Sequence, residues 1–461
     1  MNRTSSKSLL DPTIFKAYDI RGLYPSQLDE DAAFRIGWAF ARSGLLRPGR
    51  PVVVGRDMRD SSTPLFAALA KGLNTAGVSV VDIGLCTTPM LYFAVNVLRA
   101  AGGAMITASH NPAGYNGFKL TREQAIPIST DTGLGKIRQL AKDGSMEKAT
   151  WGGSIRREKL KQRYCDFFGQ RFSIRMDTPV VIDAGNGMAG AILPEVLEGQ
   201  DILHEDLFFD LDGGFPHHEA NPLKQENLQD VRRVMASFPG SIGIAFDGDG
   251  DRVGFIDETG KLIPGDLLTG LIAERVLREK HSGAILYDLR SSRVVPEIIR
   301  AQGGRPVKTR VGHSFIKQIM RDQEGLFAGE LSCHFYFSDF FCCESGIFAM
   351  LELLQIVADA GKTLEALVQP LRKYAQSGEI NFPVVDQQLV MDKVRKQFAN
   401  GKITYLDGIS VDYEDWWFNL RASNTEPLLR LNLEAKTKEL MEKKLAEVSR
   451  LFERFKHKAR E

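Results

Sequence analysis

Three carboxylates, Asp247, Asp249 and Asp251, alternate with Gly248 and Gly250 directly after the apolar run Ser241–Phe246. The run reads as a buried strand, so its polar end crowds three negative charges into one tight loop. Like charges that close raise one another's pKa unless a cation neutralises them. Oxygen-only ligands suit a hard divalent ion such as Mg²⁺. Arg252 follows at once, and an arginine beside a hard cation points to a phosphate held by both. A helix-loop-helix calcium site is the alternative, since Glu258 falls at the twelfth position from Asp247. It is disfavoured because Arg252 occupies the sixth position, where that loop needs glycine. The flanks Ser241–Phe246 and Val253–Ile256 also read as strands.

A second apolar strand ends in Thr107-Ala108-Ser109-His110-Asn111-Pro112, which presents Ser109 at an exposed turn. Asn116-Gly117 reads as a further turn, followed by Lys119, which can neutralise a phosphoryl group near the serine. An acyl-transfer dyad of Ser109 and His110 is disfavoured, because adjacent side chains rarely point at each other and no Gly-x-Ser-x-Gly elbow exists. In Gly329–His334 the polar residues Glu330, Ser332 and His334 alternate and share one face if extended. That face offers a carboxylate, a hydroxyl and an imidazole for sugar hydroxyls. Arg421, Ser423, Asn424 and Thr425 form an oxyanion cradle on a turn. Tyr18-Asp19-Ile20-Arg21-Gly22 and Gly312-His313-Ser314 are weaker signals, each compatible with an ordinary surface loop.

These loops need strands and helices to hold them. Val52–Val54, Val180–Ile182 and Ala284–Tyr287 each run into a polar loop and then a helical stretch, near 65–73, 192–197 and 294–299. The recurrence predicts three similar α/β domains. The C-terminal part reads differently, as short strands over 403–406, 408–413, 417–422 and 428–434 before a long helix over 437–456. This predicts a small α+β domain. Pro370–Pro383 reads as a linker on which that domain could hinge. The expected domains are 1–153, 154–257, 258–371 and 372–461.

The 461 residues exceed one core, and 43% apolar with 25% charged content is that of a soluble globular chain. A net charge of +1 leaves no broad field for nucleic acid or an anionic membrane. Five cysteines without a Cys-x-x-Cys pair argue against a disulfide framework or a zinc site and for a reducing compartment. No secretion signal and no run of about 18 apolar residues is present. The expectation is a cytoplasmic protein.

Together and in this order, the motifs resemble the α-D-phosphohexomutase family, most closely its bacterial phosphomannomutase/phosphoglucomutase branch. The matching stretches are Phe15–Gly22, Thr107–Lys119, Asp247–Arg252, Thr309–Lys317, Gly329–His334 and Arg421–Thr425. The resemblance implies four domains around a central cleft and a monomer acting on mannose or glucose phosphates. It implies that Ser109 carries a phosphoryl group and that a hexose 1,6-bisphosphate is intermediate and activator. Asp247, Asp249, Asp251 and the phosphorylated Ser109 would hold Mg²⁺. Glu330, Ser332 and His334 would contact the sugar, and Arg421, Ser423, Asn424 and Thr425 the distal phosphate. Tyr18, Arg21, His110, Lys119, Arg252, Arg290 and His313 would line the cleft, with the acid-base role open among His313, Lys119 and His334. Cys333 stands where the family usually has glycine, and is expected to tilt the strand or narrow the pocket. Arg290 aligns with a position that often carries lysine. Leu331 favours the mannose/glucose subgroup over phosphoglucosamine mutases. A non-catalytic sugar-phosphate binder and a metal-dependent phosphatase are the rivals from other classes.

Overall fold

The computed structural model describes residues 10–143, 145–384, 386–422 and 428–453. Its strands form four sheets of six, four, five and five strands. In the first sheet the order is Ile20–Leu23, Tyr115–Arg122, Gly102–Ile106, Val52–Arg56, Val80–Leu85, Ile155–Arg157. Val52–Arg56, rich in β-branched residues and buried, is central and runs parallel to both neighbours. Gly102–Ile106 then pairs antiparallel with Tyr115–Arg122.

The second and third sheets repeat this plan. Arg175–Asp183 lies between Asp201–Leu207 and Ile242–Phe246, both parallel to it, and Val253–Ile256 closes the edge antiparallel. Ala284–Asp288 lies between Arg305–Thr309 and Gly325–Gly329, again parallel, with Phe335–Phe337 antiparallel beyond. The three strands of the expected repeat are therefore the central strands of three equivalent sheets. Their helices form close to expectation, over Ser62–Thr75, Leu193–Glu198 and Val294–Ala301.

The fourth sheet is antiparallel throughout, in the order Ala375–Pro383, Leu428–Ala435, Trp416–Ala422, Ile409–Asp412, Lys402–Thr404. The helix Lys438–Glu453 packs on it. One continuous apolar core runs from Val53 to Leu371, across the first three sheets, whereas residues 384–452 enclose a core of their own. No helix among the described residues is long and apolar enough to cross a membrane.

Two expectations are corrected. The supposed linker 370–383 contains the edge strand Ala375–Pro383 of the fourth sheet. Gly378, at φ +67°, lies where the register slips between Gln376 and Glu379, which breaks the alternation that would betray a strand. Asn116-Gly117 is not a turn but part of the strand Tyr115–Arg122. Gly117 belongs there because a Cβ would sit 2.1 Å from the Ile20 carbonyl oxygen. Ile155–Arg157 pairs with Val80–Asp82 as the sixth strand of the first sheet.

Candidate functional site

Three loops meet in one cleft, and each occupies the same place in its sheet. Each joins the third parallel strand to its antiparallel neighbour: Gly102–Ile106 leads to Ser109, Ile242–Phe246 to the aspartates, Gly325–Gly329 to Glu330. Ser109 is buried at φ +50°, its N–H donating to Thr107 Oγ1 at 2.9 Å. The conformation is uncommon for a side-chain-bearing residue and directs the hydroxyl at the second sheet. Ser109 Oγ donates to Asp247 Oδ2 at 2.8 Å, and Arg252 Nη2 donates to Ser109 Oγ at 3.2 Å. Gly248 permits this meeting, since a Cβ would lie 2.6 Å from the Ser109 carbonyl oxygen. Gly250 takes a left-handed φ of +72°.

One carboxylate oxygen from each of Asp247, Asp249 and Asp251 lies within 4.8 Å of the others, and all three side chains are buried. Burial and the two neighbouring carboxylates push the Asp247 carboxyl up to about 7. Lys119, projecting from its strand, donates to Asp249 Oδ2 at 2.6 Å and Asp251 Oδ2 at 2.5 Å. Burial opposes its charge, but Asp249 and Asp251 hold its pKa above the ordinary value. Asp249 Oδ2 also accepts from Thr88 Oγ1 at 2.5 Å. Asp249 Oδ1 and Asp251 Oδ1 remain buried without a hydrogen-bond partner among the described residues. One lysine and one arginine thus leave oxygen lone pairs facing one another, an arrangement that can hold a divalent cation.

Glu330, Ser332 and His334 do come together, but on a turn instead of an extended face. Cys333 N–H donates to the Glu330 carbonyl at 3.0 Å, and Cys333 is left-handed at φ +62°. Its side chain points into the shared core and not into the pocket, so the expected narrowing does not occur. His334 Nδ1 lies 3.2 Å from Glu330 Oε2 and 3.1 Å from Ser332 Oγ, and Nε2 lies 3.5 Å from Asp251 Oδ1. Burial opposes its charge, but Asp251 and Glu330 raise His334 to about 9. Burial likewise opposes ionised Glu330, yet His334, Tyr336 and Arg290 hold it down at about 2. His313, partly buried near Lys317, Lys119 and His334, falls to about 3 and is neutral. Its Nδ1 has no hydrogen-bond partner among the described residues.

A cleft of about 490 Å³ is lined by Tyr18, Arg21, Ser109, Lys119, Asp251, His313 and His334. Tyr18 stands edge-on to His313 at 5.8 Å. Arg21 donates to Asn111 Oδ1 at 2.6 Å and to Asp19 at 2.5 Å. His110 sits against Arg252, and burial with that arginine drives its pKa well below the usual value. Contrary to expectation, His110 Nδ1 does approach Ser109 Oγ, at 3.2 Å. Arg252 Nη2 engages that same Nδ1, which disfavours its taking a proton.

Arg290 and Ser332 open instead on an adjoining cavity of about 440 Å³, lined also by Gln376, Glu379, Trp417 and Glu434. Arg421 reaches its edge through Glu379, donating from Nη2 to Oε2 at 2.9 Å. Ser423, Asn424 and Thr425 lie outside the described residues. Ser332 lines one cavity and His334 the other, so the turn that carries both joins the two spaces.

Sequence reasoning missed several supports. Arg59 donates to the carbonyls of Ser109, Asn111, Pro112 and Tyr115, at 3.0, 2.6, 2.8 and 3.1 Å. Fully buried Lys317 donates to Glu344 Oε1 at 2.9 Å, which Tyr92 also reaches from the first unit. Glu379 lay in the supposed linker. None has a local signal beyond a charge within an apolar segment.

Comparison with known proteins agrees with this geometry. Four family models match in chain order: phosphoglucomutase/phosphomannomutase alpha/beta/alpha domain I over residues 12–148, domain II over 162–260, domain III over 264–374, and the C-terminal domain over 379–451. A phosphohexose mutase of Xanthomonas campestris is 40% identical over 444 residues, covering 95% of this chain and 98% of the relative. A phosphomannomutase of Methanocaldococcus jannaschii is 38% identical, covering 96% and 98%. The crystal structure of a phosphoglucomutase/phosphomannomutase family protein from Burkholderia thailandensis superposes with a TM-score of 0.89 at 34% identity, covering 95% of this chain and 96% of that one. With four matching domain models in order and relatives aligned over nearly the full length, this chain belongs to the phosphoglucomutase/phosphomannomutase family.

Proposed function

We propose that this chain transfers a phosphoryl group reversibly between the 1- and 6-positions of mannose or glucose phosphates, through phosphorylated Ser109 and a hexose 1,6-bisphosphate. The observation that carries the reading is the position of Ser109 Oγ, 2.8 Å from Asp247 and within reach of Arg252, at the floor of a cleft lined by His313, His334 and Lys119. Asp247, Asp249 and Asp251 fit a resident Mg²⁺, as their all-oxygen set and orphaned Oδ1 atoms indicate. When bound, it supplies positive charge against the phosphoryl oxygens on Ser109.

Phosphoryl transfer depends on positioning and charge neutralisation more than on covalent chemistry. Arg252 places a cation beside the serine, and Lys119, on Asp249 and Asp251, places a second in the same cleft. Neutral His313 faces the cleft and can accept a hydrogen bond from the attacking sugar hydroxyl, whose proton ends on Ser109 Oγ as the phosphoryl group leaves it. Charged His334 and ionised Glu330 orient sugar hydroxyls. Arg290 and Arg421, in the adjoining cavity, hold the phosphate that is not reacting. The bisphosphate then turns end over end, and its second phosphate returns to Ser109. The domain cuts consistent with the sheets fall after Arg157, near 257 and near 372. All five cysteines are free, which supports a reducing, cytoplasmic setting.

The test is a mutase assay with Mg²⁺ and a trace of glucose 1,6-bisphosphate. It offers mannose 1-phosphate, glucose 1-phosphate and glucosamine 1-phosphate side by side, with Ser109→Ala as control. Turnover of the first two, abolished by the substitution, is expected. Turnover of the glucosamine substrate alone moves the chain to that subgroup, and release of inorganic phosphate without isomer means a phosphatase.

A further inference from the structure

Glu379 is a carboxylate surrounded by arginines. Its Oε2 accepts from Arg421 Nη2 at 2.9 Å and lies 3.5 Å from Arg290 Nη1, while Oε1 accepts from Arg430 Nη1 at 3.3 Å. Arg421 and Arg430 stand directly opposite one another on adjacent strands, a like-charge placement that destabilises a sheet. Arg290 arrives from the third unit, chelated by Asp288 through Nε at 3.2 Å and Nη2 at 2.7 Å. Three guanidiniums therefore converge on one flexible acidic side chain, which lines the 440 Å³ cavity with a quarter of its surface exposed. Burial opposes its charge, but Arg290, Arg421 and Arg430 keep its pKa below the ordinary value. It is anionic wherever the enzyme works.

A carboxylate in that place does what a phosphate would do there: it accepts charged hydrogen bonds from guanidinium forks. We propose that Glu379 is a built-in competitor for the distal phosphate, holding Arg290, Arg421 and Arg430 together when the cavity is empty and helping to displace the phosphate when the bisphosphate must turn. This rests on the mutase reading, because only an enzyme that releases and reverses its intermediate in every cycle benefits from a clamp that lets go. A clamp of unopposed arginines would bind phosphate more tightly, and would bind the intermediate and the substrate alike, slowing turnover. The bulge at Gly378 gives Glu379 its position, by shifting the register just before it.

The experiment compares wild type with Glu379→Gln, which keeps the shape and removes the charge. Inorganic phosphate is titrated calorimetrically into each full-length dephosphorylated protein, and the kcat and KM for glucose 1-phosphate are measured separately. The expected result is a Kd for phosphate lowered about tenfold, with KM and kcat both falling. The gain must vanish when the same pair is compared in an Arg421→Gln background, which separates this cavity from the Ser109 end. A carboxylate that merely pins the arginines predicts the reverse, weaker phosphate binding and raised KM, and that result or an unchanged Kd overturns the proposal. If Glu379→Gln does not fold, Glu379→Asp carries the test. Its shorter side chain cannot span both Arg421 and Arg430, so phosphate must bind at least threefold tighter, and equal or weaker binding overturns the idea. Phosphate affinity is read without turnover. A wild type inactive on every hexose phosphate therefore refutes the mutase reading and leaves the affinity comparison to decide whether Glu379 competes.

Discussion

Arg59 is the residue whose loss should do most damage at a distance from the chemistry. It is 2% exposed, and its guanidinium makes five hydrogen bonds: one to Asp57 Oδ2 at 3.2 Å and four to carbonyls of the segment that carries Ser109. The ring of Phe215, from the second unit, lies 4.9 Å from its guanidinium carbon. Replacing Arg59 by alanine leaves Asp57 buried without its cation and strips the loop of its clamp. Removing one member of a buried ion pair costs about 3–5 kcal/mol. Charged hydrogen bonds are each worth ~1.5–3 kcal/mol, but they do not add, because the freed carbonyls near the loop surface can take water. The cost should fall on local opening of 107–115 instead of on the whole chain, since Asp57 keeps Ser62 Oγ at 2.5 Å.

At about 1.4 kcal/mol per tenfold, that cost predicts amide exchange faster by roughly a hundredfold to a few thousandfold in the segment. The reporting amides are Asn111 N–H, bonded to the Ala108 carbonyl, and Tyr115 N–H, bonded to the Pro112 carbonyl, both at 3.0 Å. Arg59→Lys keeps a charge near Asp57 but lacks the fork, and should give an intermediate acceleration. Hydrogen exchange with mass spectrometry reads the segment, and kcat should fall with it while KM moves less. A folded Arg59→Ala protein whose 107–115 amides exchange at the wild-type rate would refute the clamp.

Cys333→Gly should change kcat by less than threefold, because the thiol faces the core; glycine relieves the left-handed backbone, about 1 kcal/mol, against a similar loss of packing. Burial also pushes that thiol up to about 12, so alkylation of the native protein should spare it, and a native protein labelled at Cys333 would show the side chain to be accessible. Arg290→Lys should retain kcat while raising KM several-fold, since lysine keeps the charge on Asp288 but cannot also reach Glu379; loss of turnover would mean the fork itself is needed. His218 donates through one ring nitrogen to Asp183 Oδ2 at 2.8 Å and through the other to the Glu219 carbonyl at 2.9 Å, a pattern only an imidazolium satisfies. Burial opposes the charge but Asp183 raises the pKa above 6.5, so the stabilisation is full below that value and lost as pH rises through the folded pKa. The thermal-midpoint advantage of wild type over His218→Gln should therefore be larger at pH 6 than at pH 9, and a flat or opposite trend would remove the imidazolium.

What the sequence made legible was local. The aspartate loop could be read because the strand, the glycines and all three carboxylates fall within eleven residues, 241–251, and Gly250 and Gly248 do the backbone work assigned to them. Where a contact spans the chain, no periodicity records it. Lys119 was expected near the serine, but its ammonium sits on Asp249 and Asp251, on the far side of an inter-unit contact. Glu379 was hidden by the register slip at Gly378. The alternation of Glu330, Ser332 and His334 suggested an extended face, and the residue that breaks it, Cys333, gives no hint of a positive φ because it is not glycine. The grouping survived the error because a tight turn also gathers side chains two and four positions apart.

The internal repeat carries further than the strands that revealed it. Each central strand ends at or just before an aspartate whose Oδ1 accepts the N–H two residues on: Asp57 from Arg59 at 3.1 Å, Asp183 from Gly185 at 2.7 Å, Asp288 from Arg290 at 2.7 Å. The other oxygen of each holds a cation, Arg59, His218 or Arg290. This aspartate turn then braces the loop after the third strand of its own sheet. Arg59 grips the Ser109 carbonyl, Met188 N–H donates to the Gly248 carbonyl at 2.9 Å, and Leu331 N–H donates to Asp288 Oδ2 at 2.9 Å. One structural device, used three times, therefore positions three different chemical parts: the serine, the carboxylates and the sugar-facing turn. The aspartate turns are alike although the contacts they make with their loops differ, so a substitution in any brace should misplace its own loop while leaving the other two in register.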